Sequence, residues 1–101
     1  MQLGKMYLVK EHFWLLYPTK ELAVGRPSVA SPVWGNAAEA YQNAKWLSER
    51  YHCNVPVVEE NTCFVLVEEQ DNYYFKVLNS NGNVGWICCL AFSDYFELVK
   101  E

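Results

Sequence analysis

The amino-acid sequence predicts a single, mainly β domain, α+β by content, built of antiparallel strands with one inserted α-helix. Strand-type residues fill both ends of the chain, at 5–17 and again at 57–99. Between them only residues 36–51 carry helical spacing. The stretch Ser80-Asn81-Gly82-Asn83 separates two apolar runs, which is a hairpin signal because Asn and Gly tolerate positive φ. A chain of 101 residues makes one domain over 1–101, and at this size roughly two-thirds of the unfolded surface is buried.

Each element has its own reason. In 5–17 (KMYLVKEHFWLLY), Tyr7, Val9, Phe13, Leu15 and Tyr17 fall on one face at period two, with a polar break at Lys10-Glu11-His12. This reads as one bent strand or two short ones. Residues 18–35 hold three prolines, two glycines and no clear period, so they read as a long loop. Asn36 stands as helix N-cap with Glu39 three residues on, an Asn form of the capping box. Ala37, Ala40, Tyr41, Ala44, Leu47 and Tyr51 then form one apolar stripe that suits close packing on a sheet, with Trp46 at its edge. Strands follow at 63–69, 73–79, 84–90 and 95–99, with a short 3₁₀ turn at Ala91–Asp94.

Composition excludes several classes. With 51% hydrophobic and 20% charged residues, the chain is neither disordered nor fibrous. The net charge is −4, split as +2 over residues 1–50 and −6 over 51–101, which argues against nucleic acid or an anionic membrane surface as main partner. Lys5, Lys10, Lys20, Arg26, Lys45 and Arg50 make a basic stripe only if the fold gathers them. No apolar run reaches the ~20 residues of a membrane span, and the start lacks the apolar core of a signal peptide. With four cysteines among apolar neighbours, a cytoplasmic protein with free thiols is expected.

Val65–Val67, Asp71, Tyr73–Tyr74, Gly82, Gly85-Trp86-Ile87 and Tyr95 give in order an apolar strand, a polar loop, a paired aromatic, a Gly turn, a Gly-aromatic-Ile strand and a Tyr before the last strand. In these residues the stretch from Val57 to Val99, under half of the chain, resembles the latter part of a Src homology 3 barrel of the bacterial type. It implies a small antiparallel Src homology 3-like barrel, with strands about 5–17 and 57–99 and with loop 18–35 and helix 36–51 inserted. Tyr73–Tyr74 replaces the family's usual Trp, Cys88 stands where its groove proline stands, and the Ala-Leu-Tyr-Asp-Tyr stretch is absent. Of the family's proline-binding groove, Tyr73 and Tyr95 are the positions that map.

Chemistry is sparse. Cys53, Cys63, Cys88 and Cys89 lack the close Cys-x-x-Cys pairs of structural zinc sites, and Cys88 and Cys89 point to opposite faces of a strand. No nucleophile elbow or oxyanion loop accompanies Cys53 or Cys63 with His12 or His52. Glu59–Glu60 and Glu68–Glu69 diverge on their strands and make no acid–base dyad. Gly35-Asn36 is too little for a phosphate loop. No catalytic residue, metal or cofactor is implied.

The aromatic content, 16%, is what remains. Tyr7, Phe13, Phe64, Phe75 and Phe96 suit a core by alternation, whereas Trp14, Trp34, Trp46, Tyr73, Tyr74, Trp86 and Tyr95 exceed what one small core hides. The expected function is therefore non-enzymatic: a cytoplasmic protein-interaction module or small inhibitor. Tyr73, Trp86 and Tyr95 would form an aromatic groove for a protein or peptide, and Glu68, Glu69 and Asp71 would steer a basic partner. The alternative is a small-molecule or metal-binding protein using the Cys and His residues. Closure of an exposed sheet edge by a second copy also stays open.

Overall fold

The computed structural model describes residues 2–26, 28–29 and 37–100. In chain order the elements are β1 (Met6–Val9), β2 (Trp14–Leu15), α1 (Lys20–Ala23), α2 (Ala37–Tyr51) and β3 (Val57–Val58). Then come β4 (Cys63–Gln70), β5 (Tyr74–Asn79), β6 (Val84–Cys88), α3 (Phe92–Tyr95) and β7 (Phe96–Leu98). Five strands make an antiparallel sheet in the order β6-β5-β4-β1-β7, and β2 pairs with β3. Among the described residues no ladder joins the edge strands β6 and β7, so the sheet is open and the class is α+β. No helix among these residues is long and apolar enough to cross a membrane.

The first strand region divides at the polar break, as the alternative of two short strands requires. His12 takes φ +69°, a left-handed backbone, and this reverses which side the following residues face. Tyr7 and Val9 enter one core together with Trp14 and Leu16, while Leu15 and Tyr17 enter another. The single face Tyr7, Val9, Phe13, Leu15, Tyr17 expected from period two is therefore corrected: the period holds on each side of His12 but not across it.

Two cores result. The inner one packs Tyr7, Phe64, Leu66, Phe75, Val77, Ile87 and Phe96 around Phe92 of α3. The Phe92 ring lies 4.5 Å from Phe75, 4.8 Å from Phe96 and 5.1 Å from Tyr7, so one short helix plugs the concave side of the sheet. The outer core lies between the opposite face of β6 and the helices: Leu15, Tyr17, Val57 and Trp86 meet Ala23, Ala40, Ala44 and Leu47. Small alanines on α2 permit that close approach.

Residues 14–17 separate the two cores and are buried on both sides. Their backbone is held from three directions. Leu15 N donates to Ser28 O (2.6 Å), Leu16 N to Pro56 O (2.9 Å), and Tyr17 exchanges two bonds with Trp86 (3.0 and 2.7 Å). Gly85 is what lets this segment lie on β6: a Cβ there would sit 2.6 Å from Leu16 Cβ and 3.0 Å from Tyr17 O. The Ser80–Asn83 turn forms as expected, with Gly82 at φ +84° and the buried Asn79 Oδ1 accepting from Asn81 N and Asn83 N.

Other expectations need correction. The long loop contains α1, a single helical turn capped by Thr19, whose Oγ1 accepts from Leu22 N at 3.1 Å. One turn is too short to show a period. The turn before the last strand is the α-type α3, one residue later than expected. On α2, Ala40, Ala44 and Leu47 are buried, but Ala37 and Tyr41 are exposed and Tyr51 is half-buried. Tyr41 instead donates its hydroxyl to Glu59. The expected cap Asn36, with Trp34, Gly35 and part of the long loop, lies outside the described residues.

Candidate functional site

The β4–β5 hairpin carries most of the expected site. Tyr73 N donates to Gln70 O (3.1 Å), and the two central residues, Asp71 and Asn72, take φ +58° and +52°. Positive φ at both is the geometry of a tight two-residue hairpin, and Asp and Asn are the non-glycine residues that accept it best. Glu69 Oε2 accepts from Asn72 N at 3.1 Å, so this carboxylate locks the turn. Glu68 lies opposite Lys76 across the ladder and accepts from Gln70 Nε2 at 3.4 Å. Asp71 is exposed at the tip.

Tyr73 is half-buried, its ring edge-on to Tyr74 at 4.8 Å. Its carbonyl accepts from Cys89 N at 2.9 Å, which turns the chain away from β6. Leu90 follows, 87% exposed, and α3 then delivers the half-buried Tyr95. The Tyr95 ring rests on Trp14 at 5.3 Å and His12 at 5.5 Å, and Glu11 lies 3.8 Å from the His12 ring. The hairpin bond at Cys89 thus sets Tyr73 and Tyr95 at the two ends of one short connection.

Trp86 does not join them. It is only 8% exposed and packs in the outer core, whereas Tyr95 packs against the inner one. Alternation along Gly85-Trp86-Ile87 explains this, since Ile87 occupies the inner core and its neighbour must face the other way. Trp14, one of the aromatics counted as exceeding a single small core, is buried with its indole N–H donating to Glu11 O at 2.8 Å. Two cores hide more aromatics than one. Sequence reasoning missed Leu90 and His12 here. Leu90 reads as the last residue of an apolar strand, and only the bend at Cys89 exposes it.

The remaining candidates do not converge. Cys53, Cys63, Cys88 and Cys89 are unpaired thiols. Burial raises the Cys88 and Cys89 thiols above their usual range, which keeps both protonated and poorly nucleophilic at neutral pH. His52 is exposed beside the half-buried Cys53, and no group of three or more His, Cys, Asp or Glu among the described residues is placed to hold a metal ion. The cations disperse: Lys10 Nζ donates to Ser93 O (3.2 Å), Lys20 lies over the Tyr74 ring, and Arg26 and Arg50 gather at Tyr51.

Tyr17, fully buried beneath α2, has its hydroxyl pushed up to about 12 by burial, against an opposing pull from Arg26. The unfolded chain releases this proton near pH 10 and the folded chain near 12, so the unfolded state holds fewer protons between them. Stability present below pH 10 is therefore lost as pH rises through that window. Urea titrations at pH 9, 10 and 11 are expected to show a falling midpoint, with a shallower fall in Tyr17→Phe. Parallel slopes in the two proteins would exclude Tyr17 as the cause.

Comparison of the chain with protein-family models, with curated proteins and with solved structures finds no match.

Proposed function

We propose that this protein is a non-enzymatic protein-interaction module that holds an extended peptide or a partner's loop against Tyr73, Leu90 and Tyr95. The observation that carries the reading is Leu90, a large apolar residue left 87% in water on a connection pinned at Cys89 and Phe92. A pinned apolar side chain, on the connection that runs from the Cys89–Tyr73 bond to Tyr95 of α3, offers contact area with little ordering entropy left to lose. Asp71 and Glu69 on the hairpin, with Glu11 beside His12, supply an acidic rim that favours a basic partner.

A Src homology 3-type barrel is the fold we assign to this module. Its support is the strand order β6-β5-β4-β1-β7, together with the segment running on from β2, where Tyr17 bridges to Trp86 of β6 while the Trp14 ring of β2 lies 4.8 Å from the Phe96 ring of β7. The unpaired thiols favour a reducing compartment and hence a cytoplasmic site of action.

The test is affinity capture from host cytosol with wild-type protein and a Tyr73→Ala/Leu90→Ser variant, both checked by circular dichroism. Neither substitution opens the inner core. One dominant partner, depleted about tenfold or more by the variant, is the expected result. A partner retained equally, or none at all, overturns the assignment of this surface.

A further inference from the structure

On another part of the molecule, α2 borders a cleft of about 370 Å³ with Leu15, Arg26 and Val29. Its apolar surfaces come from Leu15, Val29 and Leu47, and its aromatic walls from Trp46 and Tyr51. Leu15 and Leu47 are buried in the outer core, so they make a fixed floor. Trp46, by contrast, is 58% exposed, the largest aromatic surface left open among the described residues.

One guanidinium group, Arg26, lines this cleft, and a second, Arg50, stands beside its Trp46 and Tyr51 walls. Arg26 lies over the Tyr51 ring at 4.5 Å, and its Nη1 donates to Leu22 O at 2.5 Å, which caps the end of α1 and holds the side chain in place. Its Nε is enclosed and has no hydrogen-bond partner. An enclosed charged donor left unpartnered is costly, and an anion held by the rest of the guanidinium offsets part of that cost. Arg50 sits 5.3 Å from the Trp46 ring and 5.8 Å from the Tyr51 ring. Among the described residues no carboxylate forms an ion pair with either arginine. The Tyr51 hydroxyl is lowered from its ordinary value by bonds from Arg26 and Arg50, which brings both guanidinium groups to one side of the cleft.

We infer that this cleft binds a small amphipathic carboxylate, a free organic acid with one carboxylate on an aromatic or branched apolar body. The carboxylate pairs with Arg26 and Arg50, and the apolar body lies on Leu15 and Leu47 against Trp46. The volume falls within the range of small-molecule sites, and an apolar lining with a few convergent polar groups is their usual make-up.

Isothermal titration at low ionic strength with sodium 2-naphthoate tests this, with 2-naphthamide as the uncharged counterpart. Saturable one-site binding of the naphthoate is expected, about tenfold or more weaker for the amide and for Arg26→Gln. Arg50 is exposed, so Arg50→Gln keeps the fold and is expected to weaken binding about threefold or more. The Tyr73→Ala/Leu90→Ser variant binds as wild type does, which separates this site from the proposed protein-binding surface. Absence of saturation, equal binding of acid and amide, or unchanged affinity in Arg50→Gln overturns the inference, whether or not Arg26→Gln folds.

Discussion

Replacing Gly85 by alanine is expected to destabilise the protein by about 3 kcal/mol, the upper end of overpacking costs in a filled core. The new methyl would meet Leu16 Cβ at 2.6 Å and the Tyr17 carbonyl at 3.0 Å, and neither is the free end of a flexible side chain. The backbone segment 14–17 must then lift from β6, which endangers its two bonds to Trp86 and the packing of both cores at once. Since small domains have only about 5–15 kcal/mol in hand, the urea midpoint should fall steeply. Val84→Ala, one residue away on an exposed side chain, is the control and should cost under about 0.5 kcal/mol. Equal midpoints for the two variants would mean that residues 14–17 do not dock on β6 as described.

Trp86→Ala is expected to cost about 3–5 kcal/mol, the usual range for deleting a buried Trp side chain. The indole belongs to the outer core with Leu15, Tyr17, Val57, Ala23, Ala40, Ala44 and Leu47, so its deletion leaves a cavity among them. Thermal melting should fall by roughly 15 °C or more, with loss of α2 helicity. This outcome separates a core residue from a groove residue. A Trp86 that served only to hold a partner would lose binding on truncation and leave the melting temperature within a degree or two of wild type.

The elements that were legible in the chain are those whose signals are local. Helix α2 shows itself by three- and four-residue spacing, and β4, β5 and β6 by alternation bounded by Gln70–Tyr73 and Ser80–Asn83. Both turns contain residues that accept positive φ, so their positions follow from side-chain chemistry within four residues. Helix α1 was illegible because a single turn has no period to read. The reversal at His12 was illegible for a different reason: Tyr7 and Val9 before it and Trp14 and Leu16 after it enter the same inner core with opposite parity, and the left-handed residue at φ +69° is what switches the parity.

The candidate surface divides the same way. That Tyr73 and Asp71 belong to a hairpin follows from Gln70-Asp71-Asn72-Tyr73, whatever the rest of the chain does. That a short turn precedes the last strand follows from the polar break in an apolar run, though the sequence pattern starts that strand at Tyr95, which belongs instead to the turn. Which aromatics reach solvent is a long-range matter. Trp86 and Leu90 are four residues apart, yet one is sealed under α2 and the other stands in water. The cause is a helix inserted some forty positions earlier and one backbone bond from Cys89 to Tyr73. Likewise Arg26 and Arg50 meet at Tyr51 only because α1 and α2 pack on the same face of β6. Composition and periodicity are properties of neighbouring residues, and they settled the class, the helix and the hairpins. Burial and the pairing of charges depend on residues distant in sequence, so the location of every candidate site waited on the packing of the whole chain.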